Sequence, residues 1–310
     1  MRGGGRAVLT LLHISDLHFG PAYLPAVGEA LLRAAQELEP DIIVVSGDFT
    51  QRAKPEQFRA AREFLAQLPP VPRVVVPGNH DVPLYRVAER LFRPYALYRE
   101  YIAPELESVL VCDGAVIVAL NTTDPYRAIV NGRIGRRHLE FAAAAFRSAP
   151  ERAVRIVVAH HHFAPPPDYE GGTAMRGARA ALDRFTELRV DLILAGHQHR
   201  AYIGNSLDVY PGKDREHGII IVQAGTATSR RGRAREREKN SFNVIRVGEE
   251  VIRVTHYMFF DDARGFAAQS RHIFPRARRK YLAGPPDVRE EERWDDREAS
   301  YEPGVAERRE

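Results

Sequence analysis

Short apolar runs alternate with amphipathic stretches through the first two thirds of the chain. Residues 8–15, 41–46, 73–77, 154–159 and 191–195 are brief, rich in Val, Ile and Leu, and followed at once by Gly, Asp, Asn or His. Such runs predict buried strands. Between them, residues 22–38, 55–68, 86–101, 136–149 and 178–188 carry apolar side chains at helical spacing, some bounded by Pro or Gly, and predict helices. Two further runs, 108–112 and 115–121, are split by Asp113-Gly114, a hairpin turn signal.

Beyond Gly196 the pattern changes to strands and turns alone, with apolar alternation around Val209 and over 219–223, 242–247 and 251–260. Strand-helix units followed by a β-meander predict an α/β fold, an αββα sandwich of two mixed sheets flanked by helices. From about residue 266 the composition turns to Arg, Glu, Asp and Pro with little periodicity. The expected division is therefore a domain over 1–265 and a charged C-terminal tail over 266–310, surface-docked or disordered, with Trp294 a candidate anchor. No internal repeat is visible.

The 310 residues, 44% hydrophobic, can build one large or two ordinary domains. The apolar run over 7–14 is too short to span a bilayer and has no cleavage pattern behind it, so a cytoplasmic, soluble protein without a membrane span is expected. A single cysteine, Cys112, excludes an intramolecular disulfide framework and suits a reducing compartment. It is expected to be a small buried apolar residue. The net charge of +4 is spread over interleaved acids and bases, which gives little support for a nucleic-acid partner.

The chemistry lies where the strands end. They end in Asp16-Leu17-His18, in Gly47-Asp48, in Gly78-Asn79-His80-Asp81, in His160-His161-His162 and in Gly196-His197-Gln198-His199. Each alone is unremarkable, since an Asp after a strand is usually a turn former and a lone His usually a packing residue. Five endings of one chemical kind, at the same end of predicted strands, converge in an open sheet with parallel strands. Carboxylates, imidazoles and one amide oxygen, without thiolate, suit Mn, Fe, Zn or Co. So many ligands suit two divalent ions about 3.5–4 Å apart, sharing a carboxylate and a water that ionises to a nucleophile for hydrolysis at phosphorus.

The five blocks, in this order from Asp16 to His199, resemble the signature of the calcineurin-like metallophosphoesterases, D-x-H, G-D, G-N-H-[DE], H and G-H-x-H. The opening HISDLHFG and the helix lengths resemble their bacterial class III cyclic-nucleotide phosphodiesterase branch. The resemblance implies that Asp16, His18 and His199 hold one metal, that Asn79, His160 and His197 hold the other, and that Asp48 bridges them. It implies that His80 is the catalytic imidazole, beside the metals, with Asp81 orienting its ring. Relatives often have H-H-P where this chain has three histidines. Matching His162-Phe163 to the Pro-apolar pair makes His160 the ligand, and a one-residue slip makes it His161. Asn121, at the end of the hairpin, stands where many relatives place Asp.

The expected reaction is attack of a metal-bridging hydroxide on a small, cyclic nucleotide-like phosphodiester. A phosphomonoesterase, a nuclease and a non-catalytic metal-binding scaffold are the alternatives, and a homo-oligomer is compatible with the sequence. Two segments could reach substrate. Residues 165–177 form a glycine-containing loop after the histidines, and residues 225–241 could bring Arg230 or Arg231 to a phosphate.

Overall fold

The computed structural model describes residues 8–127, 129–164, 173–210, 218–233 and 236–276. In chain order the strands are β1 (Leu9–Ile14), β2 (Ile42–Val45), β3 (Arg73–Val75), β4 (Ser108–Cys112), β5 (Ala115–Ala119), β6 (Val154–Val158), β7 (Leu192–Ala195), β8 (Tyr202–Asn205), β9 (Ile220–Gln223), β10 (Ser241–Val247), β11 (Val251–Phe260) and β12 (Gly265–Pro275). The helices are α1 (Pro25–Leu38), α2 (Pro55–Gln67), α3 (Val87–Phe92), α4 (Ala96–Tyr101), α5 (Arg136–Arg147) and α6 (Ala178–Glu187).

They form two six-stranded sheets, β12-β11-β10-β1-β2-β3 and β4-β5-β6-β7-β9-β8. Strands β1, β2 and β3 run parallel, as do β5, β6, β7 and β9, while the remaining neighbours pair antiparallel. The period-two alternation of strand side chains explains the layering. Leu11, Val44 and Ile245 of one sheet meet Ile117, Ile156 and Leu192 of the other between the sheets. Their neighbours Leu12, Ile43 and Val244 face outward onto Leu31 of α1 and Phe58 of α2. On the far side Val157 and Ile193 face outward onto Phe146 of α5 and Phe185 of α6. The expected αββα sandwich is this architecture.

Four expectations about the elements are corrected. The helix expected over 86–101 is two short helices, because Pro94 lacks a backbone donor and drives Arg93 out of helical geometry, to φ −145°. Val209 lies in a turn after a short 3-10 segment at Ser206–Asp208, and the strand there is β8, whose Tyr-Ile-Gly-Asn sequence carries only a weak strand signal. The meander is confined to β10–β12, since β9 runs parallel to β7 in the second sheet.

The fourth concerns the domain boundary. The expected border after residue 265 falls inside the first sheet, where β12 pairs with β11 from Phe260↔Gly265 to Val251↔Pro275. Beyond Phe266 the edge strand β12 has no buried residue, its side chains being half-buried or exposed, so its residues resemble a surface tail. Phe266 anchors its start, with ring centroids 4.8 Å from Phe242 and 5.4 Å from Phe259. Residues 277–310, including Trp294, lie outside the described residues. Cys112 is half-buried at the hairpin, with Sγ 3.6 Å from the Ala115 carbonyl. No described helix is long and apolar enough to cross a membrane.

Candidate metal centre

The carboxyl ends of β1, β2 and β3 deliver Asp16, His18, Asp48, Asn79 and His80 from the first sheet. Those of β6 and β7 deliver His160, His197 and His199 from the second. The side chains meet at the seam between the sheets, in two groups joined by one carboxylate. In the first, His199 Nε2 is 2.9 Å from His18 Nε2 and 3.1 Å from Asp16 Oδ1, and His18 Nε2 is 3.7 Å from Asp48 Oδ2. In the second, Asn79 Oδ1 is 3.0 Å from His197 Nδ1 and 3.2 Å from His160 Nε2, which is 3.5 Å from the same Asp48 Oδ2.

Sharp backbone turns bring these atoms together. Asp16 (φ 55°), His18 (φ 50°), Asp48 (φ 55°), His197 (φ 76°) and His199 (φ 55°) all adopt left-handed geometry, which costs an L-residue about 1–2 kcal/mol and clusters at functional sites. Glycine makes the remaining room. A side chain at Gly78 would collide with the Asp48 carboxylate, and Gly47 turns through φ 97° with its α-carbon facing His160 and Gly78.

The far side of each group is already bonded, which aims its free atom inward. Asp16 Oδ2 accepts from Ser15 Oγ at 2.6 Å and from the His197 amide at 2.9 Å. Asp48 Oδ1 accepts from the His80 amide at 2.8 Å. His160 Nδ1 donates to the Ser46 carbonyl at 2.8 Å, and His199 Nδ1 to the Arg231 carbonyl at 3.0 Å. Asp16 Oδ1 and Asp48 Oδ2 are buried with no donor aligned on them. Buried carboxylate oxygens left facing imidazole nitrogens are what a pair of cations fits, and the oxygen-nitrogen donor set without thiolate suits borderline divalent ions.

The electrostatics differ among the ligands: at His160 burial acts to lower the imidazole, but the Asp48 and Asp16 charges raise it above its usual value. Burial lowers the His18 and His197 imidazoles well below their usual range, leaving them neutral and able to donate a lone pair. Burial works to raise the Asp16 carboxyl, yet His199, His18 and His160 hold it well below its ordinary value. Asp48 is pushed up to about 6, chiefly by burial and also by the Asp16 charge.

His160 stands among Asn79, Asp48 and His197. His161 instead holds Thr122 Oγ1 through Nδ1 at 2.8 Å, although one of its ring nitrogens lies within 4.8 Å of nitrogens of His160 and His197, close enough to join a metal group with them. His162 stacks on His197 with centroids 5.7 Å apart. His13, one residue pair before the Asp16 turn, is a strand residue bonded through Nε2 to Ser46 Oγ at 2.9 Å. Asn121 accepts from the Thr123 amide and hydroxyl through Oδ1, at 3.0 and 2.7 Å, and so organises its own turn.

His80 lies beside the groups, its ring centroid 4.9 Å from that of His18. The expected orienting role of Asp81 is corrected. The His80 ring is held by the Gln51 carbonyl, 2.9 Å from Nδ1. Asp81 points the other way and accepts from the amides of Phe49, Thr50 and Gly78 at 3.2, 2.9 and 2.9 Å. An Asp following a catalytic His in sequence suggests a ring partner, but the short 3-10 turn at Asn79–Asp81 sends consecutive side chains in different directions. A backbone carbonyl such as that of Gln51 leaves no trace in side-chain pattern. Of the two arginines, Arg231 reaches the site, with Nη2 3.4 Å from His80 Nε2. Arg230 is exposed, and its backbone amide is bonded to the Ala22 carbonyl. Residues 165–172 of the expected flap lie outside the described residues.

Comparisons with known proteins agree with this fold. Residues 9–201 match the calcineurin-like phosphoesterase family. A cAMP/cGMP dual specificity phosphodiesterase of Mycobacterium tuberculosis is 30% identical over 237 residues, 70% of this chain and 71% of the relative. A "probable cyclic nucleotide phosphodiesterase" of Synechococcus sp. is 27% identical over 227 residues, 67% of this chain and 81% of the relative. Among solved structures, a dimetal phosphatase from Danio rerio superposes with TM-score 0.60 at 13% identity, over 87% of this chain and 99% of that one. The chain belongs to the calcineurin-like phosphoesterase family. It is a metal-dependent phosphoesterase hydrolase.

Proposed function

We propose that the chain hydrolyses a small phosphodiester of the cyclic nucleotide class on two divalent ions. The observation that carries this reading is the position of Asp48, whose Oδ2 lies within 3.7 Å of His18 and 3.5 Å of His160, between two complete donor groups. Asp16, His18 and His199 would hold one ion with Asp48, and Asn79, His160 and His197 would hold the other with the same carboxylate. The ions, drawn from Mn, Fe, Zn or Co, would supply charge neutralisation at the phosphoryl group and acidify water.

The remaining steps belong to the chain. Arg231 and His80 form one wall of the site and meet the non-metal side of the phosphoryl group. With its Nδ1 proton given to Gln51, His80 presents Nε2 to substrate. Burial, aided by Arg231, lowers the imidazole to about 4, so it stands neutral near pH 7 until a phosphoester is beside it. Substrate negative charge acts in the opposite sense and favours the imidazolium, whose Nε2 proton is then available to the leaving alkoxide. Arg231 supplies a fixed cation for a non-bridging oxygen.

The substrate class follows the two cyclic nucleotide phosphodiesterases to which the chain is similar. It is tested by a panel on Mn-loaded protein comparing cyclic nucleotides, linear diesters, monoesters and single-stranded DNA. The highest kcat/KM is expected on a cyclic nucleotide. A clear preference for monoesters or DNA overturns the substrate class. The soluble, cytoplasmic location expected from the sequence remains part of this reading.

A further inference from the structure

Helix α3 contributes no buried residue, an unusual state for a helix in a folded domain. Around it stands the main group of exposed large apolar side chains among the described residues. Phe92 is 82% exposed, Tyr85 73%, Tyr126 and Val130 each 59%, Val87 51% and Leu91 47%. They form one surface. Tyr126 Oη donates to the Leu91 carbonyl at 3.3 Å, which joins residues 121–127 to α3, and Tyr95 Oη lies 2.6 Å from Thr123 Oγ1 beneath them.

The patch rims the metal centre. The Arg52 guanidinium lies over the Tyr85 ring, 5.2 Å from its centroid, and Arg52 follows Gln51, whose carbonyl orients His80. At the other end Gly132, two residues beyond Val130, packs so closely on the His161 ring that any side chain there would collide with it. The apolar surface therefore runs along the mouth of the cleft, from the His80 side toward the His161 side.

Cations are interleaved with these apolar groups. Arg52, Arg93, Arg127 and Arg133 are exposed, and none has a carboxylate partner among the described residues. A second copy docking about a two-fold axis would press this basic surface against itself, which like-charge repulsion opposes. Aromatic and aliphatic side chains set among unpaired arginines instead match a bilayer with anionic headgroups, apolar groups entering the interface and arginines meeting phosphates.

We propose that the surface formed by α3 with residues 121–127 and 129–133 docks the protein on an anionic lipid bilayer, with the mouth of the metal centre facing the headgroups. This needs no membrane-spanning helix and does not depend on which phosphoester is hydrolysed.

The test is co-sedimentation of the full chain with vesicles of phosphatidylcholine alone and of phosphatidylcholine mixed with phosphatidylglycerol. Binding to the mixed vesicles is expected to exceed that to neutral ones by about tenfold or more, and to weaken as salt is raised. Leu91→Ser/Phe92→Ser and Arg93→Glu/Arg127→Glu should each lose about tenfold in vesicle binding. Both should keep wild-type turnover of the soluble bis(4-nitrophenyl) phosphate, which also shows that they fold; if one does not fold, the other decides. The proposal is overturned if the wild type binds neither vesicle, or if the folded variants sediment with vesicles as the wild type does. It is equally overturned if the chain forms a dimer that Leu91→Ser/Phe92→Ser dissociates and does not bind lipid.

Discussion

His160 Nε2 stands 3.5 Å from Asp48 Oδ2, a contact between the two sheets that joins the two donor groups. Asp48→Asn replaces the shared anionic oxygen with a neutral amide. Metal analysis after dialysis should show loss at both sites, and turnover should fall by about 100-fold or more. Retention of two ions per chain with near-normal turnover counts against Asp48 as the bridge.

Replacing His80, which touches the donor groups without joining them, should separate chemistry from metal binding. His80→Ala is expected to lower kcat by about 100-fold or more with metal stoichiometry unchanged. Wild-type kcat in the metal-loaded variant removes His80 from the mechanism.

Arg231 contributes its carbonyl to His199 and its guanidinium to the space beside His80. Arg231→Met keeps the first and removes the second. We expect kcat/KM to fall about tenfold or more with both metals retained, a cost of ~1.4 kcal/mol or more in transition-state stabilisation. An unchanged kcat/KM places this arginine outside the substrate contacts.

Asp81 gives a stability prediction instead. Its carboxylate accepts three backbone amides and the Thr50 hydroxyl. Asp81→Ala leaves the three amides buried and unpaired, while the Thr50 hydroxyl keeps the His80 carbonyl, and urea unfolding should show a loss of about 3 kcal/mol or more. A loss of activity without any loss of stability would instead favour direct action on His80.

His13 makes stability depend on pH. Burial lowers its folded-state value from 6.5 to about 3, so below pH 6.5 the unfolded chain takes up a proton that the folded chain refuses. Its contribution to stability is present above pH 6.5 and is lost progressively as pH falls toward 3. The urea midpoint should drop less between pH 7 and pH 4 in His13→Gln than in wild type, the difference reaching at most ~1.4 kcal/mol per pH unit. Parallel pH profiles would show that His13 does not titrate differently on unfolding.

Much of the centre is legible along the chain because each strand leaves its parallel sheet at the same edge, and short blocks there carry the ligand-type side chains. Asp16, His18, Asp48 and Asn79 stand out in the sequence alone. Strand β12 does not, because an edge strand needs only one apolar face and its polar half mimics a tail. Nor could the break at Arg93 be judged from periodicity alone, since apolar spacing continues across Pro94 while the backbone does not.

What the sequence determined by itself was the αββα order of elements, the residue types at five strand ends, and with them the class of chemistry. Which atoms face one another was decided only by tertiary structure. The histidine triplet offers equivalent rings, and it is the Ser46 carbonyl from one strand end and the Thr122 hydroxyl from another that turn His160 and His161 differently. Gln51 holds His80 and Asp81 holds the loop at Phe49 and Thr50, through backbone groups that every residue type carries alike. A pattern of side chains cannot encode those partners, because a carbonyl or an amide acquires its role only from where the folded chain places it.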